Sequence, residues 1–320
     1  MKAAMVLRYG PPDVVRIVDI PQPVPGPDDI LVRVRAATVS SADMRLRSAR
    51  FPRGMAMMGR LAIGLTGPRR PVLGTDLAGQ VVAVGAAVTG WRVGDPVVAF
   101  MGGALGGHAE YRVLGPKTAR IAKPEGLDWA QAAALSFGGT TALYFLRDRA
   151  AVRAGERVLI VGASGAVGLA AVQLALGWGA LVTGVCSAAN AALVTGMGAE
   201  VIDYAVAEWA RAGRRWDVVV DTTGTVGVAQ ARGSLVPGGR LCLVAADLPQ
   251  MLGGPLARGI RVITGVAPER AEDLATLAAL AQAGTFRPHV SARFALAQIA
   301  AAHALVDSGH KIGNVVVEMV

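Results

Sequence analysis

The stretch that most constrains this chain runs from Arg157 to Tyr204. Val158–Gly162 is an apolar run of strand length, Ala163-Ser-Gly165-Ala-Val-Gly168 follows at once, and Leu169–Leu176 reads as a buried helix. Leu181–Val185 then reads as a second strand, Asn190–Met197 as a second helix and Glu200–Asp203 as a third strand. Strand, glycine turn, helix and strand in that order make the βαβ unit that binds dinucleotides. The spacing G-x-x-G-x-x-G has a chemical reason. Gly162 lets the chain turn sharply out of the strand, Gly165 lets backbone N–H groups approach a pyrophosphate, and Gly168 lets the helix pack closely on the sheet. No acid or base lies between Arg157 and Glu200. Repeated glycines, and the fact that strands of a doubly wound parallel sheet are covered on both faces, assign this stretch to a core rather than to a membrane span.

Composition narrows the partners. The chain has 320 residues, 53% of them hydrophobic, enough for two domains with a substantial core. Its net charge of +9 comes from scattered arginines, which reads as a solvated basic surface. Aromatic residues are sparse and no RNA-binding motif appears, so no nucleic-acid partner is expected. The apolar part of the N-terminus is too short for a signal peptide. The two cysteines, Cys186 and Cys242, fall in expected core strands. This points to a reducing, cytoplasmic setting and away from a disulfide framework or a cysteine-built zinc site.

Before the central unit, Lys2–Leu7, Val14–Ile20, Ile30–Val39, Asp76–Gly85, Gly94–Phe100 and His108–Val113 read as strands with glycine or proline turns. Ile30–Ala36 alternates like a half-buried strand, and Ser40 can cap a helix through Met44 and Leu46. These suggest a β-barrel-like domain up to about Pro124. Helices at Trp129–Leu135 and Thr140–Arg149 follow. Beyond the central unit come helix Ala207–Ala212, strand Trp216–Asp221, helix Gly227–Leu235, strand Arg240–Ala245, strand Ile260–Thr264 and helix Glu269–Ala283. The last segment, from Phe286, holds a strand, a helix over Leu296–Val306 and a strand over Asn314–Met319. The expected fold class is α/β. Residues 1–124 and 286–320 form a substrate domain and 125–285 a doubly wound nucleotide-binding domain.

At this level the chain resembles the zinc-independent, quinone-oxidoreductase branch of the medium-chain dehydrogenase/reductase superfamily. The resemblance spans nearly the whole chain. It rests on Ala36–Asp43, Val72–Val82, Gly94-Asp95, Gly107–Tyr111, Ala132–Leu135 with Gly139–Ala142, the Gly162–Gly168 turn, Gly198–Tyr204 and Pro237–Arg240. It implies a GroES-like substrate domain, a Rossmann domain, a cleft between them, a homodimer, and reduction of quinones or of the C=C bond of conjugated carbonyls with NADPH. Zinc-dependent relatives place a cysteine after the third strand, a His-Glu pair near position 75 and a four-cysteine lobe. Here Val39-Ser40-Ser41 and Thr75-Asp76 stand instead and no cysteine cluster exists, so no metal is expected. His108-Ala-Glu110 has H-x-E spacing but no C-x-x-C follows, and His289, His303 and His310 read as surface or packing residues.

The end of the second strand bears on cofactor choice. An NAD-selective fold places an acid there to bind the ribose 2′-OH, whereas this chain has Cys186-Ser187-Ala-Ala-Asn190. Ser187 and Tyr204 match positions that relatives use for a 2′-phosphate, while Ala188 and Ala189 occupy the likely place of their basic residue. NADPH is therefore expected, with NADH possible. The candidate cofactor-binding residues are Thr141, Gly162, Ser164, Gly165, Ala166, Val167, Ser187, Asn190, Tyr204, Thr223, Ala245 and Asn314. Hydride transfer needs placement and a donor to the developing oxyanion. The catalytic candidates are Ser40, Asp43 and Thr141. By resemblance Thr141 lies beside the nicotinamide or its ribose; Asp43 has the competing role of bracing its helix.

Met44–Arg70 carries seven arginines and no acid, interleaved with Met55, Met57, Met58, Leu61, Ile63 and Leu65. It reads as a lid over a hydrophobic substrate, as a basic face for a carrier or membrane surface, or as a mobile insertion. The function expected is an NADPH-dependent, metal-free reductase of a small hydrophobic quinone or enone. Two alternatives remain: a non-catalytic NADPH-binding regulatory or RNA- or membrane-associated protein, and an alcohol or ketone oxidoreductase.

Overall fold

The computed structural model describes residues 1–211 and 213–319. The chain divides into two compact units, one of residues 1–51, 56–137 and 269–320, the other of residues 52–55 and 138–268.

The first unit opens with β1 (Lys2–Val6) and β2 (Val15–Asp19), an antiparallel pair. β3 (Ile30–Val39) follows, then helices α1 (Ser41–Ser48) and α2 (Ala56–Ile63), then β4 (Asp76–Val84), β5 (Pro96–Phe100), β6 (Tyr111–Leu114), β7 (Ala119–Ala122) and α3 (Trp129–Ala134). α4 (Ser136–Leu143) and a π-helical stretch at Tyr144–Arg149 lead into the second unit. There β8 (Arg157–Val161), α5 (Ala166–Gly177), β9 (Leu181–Cys186), α6 (Ala188–Thr195), β10 (Glu200–Asp203), β11 (Trp216–Asp221), α7 (Val228–Ser234), β12 (Leu235–Leu243), α8 (Leu248–Gly253) and β13 (Arg261–Ile263) alternate. The chain ends in the first unit with α9 (Ala271–Gln282), β14 (Val290–Ala295), α10 (Ile299–Asp307) and β15 (Asn314–Glu318).

The second unit is a six-stranded sheet in the order β10-β9-β8-β11-β12-β13, parallel at every pairing. Val158, Leu159 and Ile160 of β8 are fully buried, as central strands covered on both faces must be. Each such aliphatic side chain contributes about 1.5–3 kcal/mol on leaving water. The order reverses between β8 and β11, so a crevice opens at the carboxyl ends of those strands. The first unit is a sheet in the order β14-β15-β3-β4-β5-β7, with β6 also on β3. Its core gathers Val32, Leu77, Val97, Val315 and Val317 under Ile299 and Val306 of α10.

Several expectations need adjustment. β3 is buried along most of its length rather than half-buried, because α3 packs on it and it pairs with three strands. Residues 125–137 and 269–285 group with the first unit, not with the nucleotide-binding one. α3 packs on β3, β4 and β15, and α9 packs on β7, where Leu274 meets Phe100 and Ala119. The expected helix Ala207–Ala212 is a single 3-10 turn, Trp209–Arg211, with Ala212 outside the described residues. Val320, in the expected last segment, is also outside them. β7, α2 and α8 had no counterpart in the pattern reading. Among the described residues no helix is long and apolar enough to cross a membrane.

Candidate functional site

The nucleotide candidates of the second unit gather at the carboxyl ends of its strands. β8 ends at Val161, and Gly162 turns the chain with a φ of +81°, a conformation that costs glycine little. A Cβ there would lie 2.5 Å from Thr222 Oγ1 and 2.6 Å from Thr223 Cγ2. Gly165 is the N-cap of α5 and offers no side chain, so the first N–H groups of that helix have no side-chain cap. These groups and the helix dipole suit an anion. At Gly168 a Cβ would stand 2.1 Å from Gly162 O and 2.8 Å from Ala163 Cα, so only glycine lets α5 close onto the turn. Gly184 of β9 and Gly138 of α4 make similar close approaches: their Cβ atoms would meet Ala163 Cβ at 2.7 Å and Ala166 O at 2.7 Å. α4 therefore lies against the first turn of α5. Thr141, one turn beyond Gly138 on the same face, is buried there.

The rest of the crevice follows from β9, β11 and β12. Asn190 Nδ2 donates to Ser164 Oγ at 3.0 Å, tying α6 to the glycine turn. Ser187 is the N-cap of α6 but its hydroxyl makes no capping bond. Tyr204 is 59% exposed, and its N–H donates to Cys186 O. Beyond β11, the fully buried Asp221 accepts from Thr223 N (2.8 Å), Thr223 Oγ1 (2.7 Å), Gly224 N (3.0 Å) and Val226 N (3.0 Å). It shapes the 222–226 turn that carries Thr223. A Cβ on Gly224 would meet Ala245 O at 3.3 Å, which places Ala245 beside that turn. Asp221 was missed in the sequence; a strand ending in Asp-Thr-Thr-Gly was its signal, since Asp bonds readily to the backbone two residues on. The structure thus brings together Gly162, Ser164, Gly165, Ala166, Val167, Ser187, Asn190, Tyr204, Thr223 and Ala245, and Thr141 lies on α4, whose Gly138 meets the first turn of α5. Asn314 belongs to the other unit, where its buried Nδ2 donates to His289 O at 3.1 Å.

Ser40 and Asp43, the other catalytic candidates, lie in the first unit and form a capping box at the start of α1. Asp43 is fully buried; Oδ2 accepts from Ser40 N (2.9 Å) and Ser40 Oγ (2.7 Å), and Oδ1 from Gly74 N (2.9 Å). Both oxygens and the serine proton are committed, so these residues brace α1 against the loop before β4 and present no donor for a reacting oxygen. Asp76, also fully buried, accepts from Thr38 N (2.8 Å) and Thr38 Oγ1 (2.6 Å). Burial pushes its carboxyl up to about 7, against the opposing pull of the Thr38 bonds and with a further push from Asp43. His108 Nε2 bonds Thr38 O at 2.8 Å. The buried His303 meets the His108 ring edge-on at 6.0 Å; burial, then His108 and Arg47, drive its pKa down to about 2. Arg47, expected on a basic surface, is instead fully buried and pairs with Asp307 of α10.

Among the described residues no three His, Cys, Asp or Glu side chains gather as metal ligands. Asp76 and His108 are tied to Thr38, and both cysteines lie buried in β9 and β12, where burial raises their thiol pKa values, Cys242 to about 12. Zinc takes three or four cysteine, histidine or carboxylate ligands together, and these side chains are dispersed or tied to other partners.

Known proteins match both units. Residues 26–153 match the alcohol dehydrogenase GroES-like domain and residues 197–317 the zinc-binding dehydrogenase family. A quinone oxidoreductase of Pseudomonas aeruginosa is 32% identical over 98% of each chain. The chain belongs to the quinone oxidoreductase family. The quinone oxidoreductase of Sus scrofa is 31% identical over 95% of this chain and 93% of its own. The solved quinone oxidoreductase from Coxiella burnetii superposes with a TM-score of 0.88 at 29% identity, covering 99% of each chain. This family member is an oxidoreductase, with a GroES-like unit and a Rossmann-like parallel-sheet unit. The CurK enoyl reductase, at 22% identity and a TM-score of 0.86, shares the fold.

Proposed function

We propose that this oxidoreductase uses NADPH to reduce a small hydrophobic quinone or the C=C bond of an α,β-unsaturated carbonyl, without zinc. The observation that carries this is the uncapped start of α5 at the Gly162–Gly168 turn, at the point where the strand order reverses. The bound cofactor would supply the hydride. The chain's own groups do the rest. The N–H groups of the turn and the first turn of α5 hold the pyrophosphate, and Asn190 and Ser164 fix the wall beside it. Thr223 and Ala245 line the neighbouring strand ends, and Thr141 is proposed to face the redox end of the ligand. Ser187 and the exposed Tyr204 would meet a 2′-phosphate, because no acid follows β9 to select a free ribose hydroxyl. Against tight 2′-phosphate binding, Ala188 and Ala189 supply no cation. Ser40 and Asp43 are positioning residues, and the proton comes from solvent or a nearby hydroxyl.

A zinc-free site would lack the Lewis acid that an alcohol or saturated ketone needs, whereas quinones and enones are already electrophilic, and this supports the choice of acceptor. We also propose a homodimer: β13 is a sheet edge only three residues long, and Leu252, Leu256 and Val266 around it are at least 69% exposed. The test is NADPH and NADH oxidation with 9,10-phenanthrenequinone and with a small enone, in chelator-treated buffer. A higher kcat/KM with NADPH supports the reading. Cofactor binding without turnover across a broad acceptor panel, or equal use of both cofactors, overturns it.

A further inference from the structure

The segment between β3 and β4 builds a surface that the reductase reading does not use. α2 has no buried residue: Met57 is 75%, Met58 50% and Leu61 52% exposed, and Leu65 just beyond is 61% exposed. Met57, Met58 and Leu61 fall at helical spacings of three and four, so they form one stripe, and Leu65 follows just after the helix ends at Ile63. Leu7, 68% exposed, lies against the segment that follows α2, where Gly67 packs so closely on Leu7 O that a Cβ would come within 2.6 Å of it. A protein surface rarely leaves a stripe of large apolar side chains exposed without a use.

The helix is held at specific points rather than laid down loosely. Gly59 lets the Phe51 ring pack flush against α2, where a Cβ would stand 2.5 Å from the ring. Tyr9 Oη donates to Gly64 O at 2.7 Å, and the Arg60 guanidinium sits 5.2 Å from the centre of the Tyr9 ring. In the segments that pack against or flank α2, Arg8, Arg50 and Arg69 are exposed, and no carboxylate pairs with any of them among the described residues. No acid occurs anywhere between Met44 and Arg70.

We propose that the α2 face is a docking surface for an anionic lipid bilayer, with the Met57, Met58, Leu61 and Leu7 side chains entering the headgroup region and Arg8, Arg50 and Arg69 meeting lipid phosphates. The charge decides the occupant. Exposed arginines without carboxylate partners, in a segment that also exposes flexible apolar side chains, match an interface of negative headgroups over acyl chains. Two helical turns cannot anchor the protein alone, so binding is reversible and depends on the arginines and on ionic strength.

The experiment is sedimentation of the full chain with phosphatidylcholine vesicles and with vesicles containing phosphatidylglycerol, at low and high salt. Three variants accompany it: Met57→Ser/Met58→Ser/Leu61→Ser; Arg8→Gln/Arg50→Gln/Arg69→Gln; and a control elsewhere, Arg92→Gln/Arg232→Gln/Arg258→Gln. All change exposed positions, and circular dichroism checks that each folds. The wild type and the control should bind anionic vesicles only. The first two variants should each lose at least about tenfold in apparent lipid affinity, with cofactor binding unchanged. Three results overturn the proposal: no preference for anionic vesicles, an equal loss in the control (binding by net charge alone), or no vesicle binding together with a wild-type oligomer that the serine variant dissociates. Because vesicle binding is read without turnover, failure here is separable from failure of the reductase reading.

Discussion

Replacing Gly165 by alanine separates cofactor binding from folding. At Gly165 φ is −78° and ψ 173°, which any residue adopts, and an added Cβ would have only Gly162 O within 4 Å, at 3.5 Å. The folded chain should accept the methyl with a stability change within about 0.5 kcal/mol. The methyl nonetheless stands at the mouth of α5, where backbone N–H groups must reach a pyrophosphate, so NADPH affinity should fall at least about tenfold, or about 1.4 kcal/mol. Gly168→Ala is the counterpart. Its Cβ would clash with main-chain atoms at 2.1 and 2.8 Å that cannot swing away, so the turn must shift at about 1–3 kcal/mol. Fluorescence titration with NADPH and thermal unfolding of the two variants form the assay. Unchanged NADPH affinity in a normally folded Gly165→Ala protein would refute the assignment of the turn to the pyrophosphate.

Ser187→Asp should place a carboxylate at the end of β9 and lower the NADPH-to-NADH ratio of kcat/KM at least about tenfold, read by steady-state kinetics. Asp76 is raised from 3.8 to about 7, so its contribution to stability is complete below pH 3.8 and is lost as pH rises to about 7; Asp76→Asn should remove that arm, worth up to about 4 kcal/mol, in denaturant titrations across this range. His303 is depressed from 6.5 to about 2, so its contribution is complete above pH 6.5 and is lost as pH falls; His303→Leu should flatten the acid limb of the same titrations, and an unchanged limb would contradict the assignment. Asp307→Ala leaves the Arg47 guanidinium buried without its carboxylate and should cost about 3–5 kcal/mol in unfolding free energy.

The nucleotide-binding unit was legible because its signals are local. Apolar strands, three glycines and alternating helices lie in sequence order, and the parallel sheet follows from them. What stayed hidden depends on contacts across long sequence separations. The Ser40–Asp43 spacing shows a cap and a brace for α1, but the third bond, from Gly74 N, comes from 31 residues away and could not be read from that spacing. Arg47 looked like one more surface arginine; its partner Asp307 lies 260 residues on. α2 carries two bulky methionines, a glycine and no capping residue, so no helix signal rose above its composition, and what fixes it is Phe51 and Tyr9. The unit boundaries moved for the same reason: α3 and α9 follow the strands they cover rather than their neighbours in sequence.

The central claim is tested most directly by one mixing experiment: purified protein, exhaustively chelated, combined with NADPH and 9,10-phenanthrenequinone while the reduced-nicotinamide absorbance is followed. The account predicts consumption of NADPH that is stoichiometric with quinone reduction and indifferent to added zinc. Absence of NADPH consumption, or consumption only when zinc is restored, would contradict it.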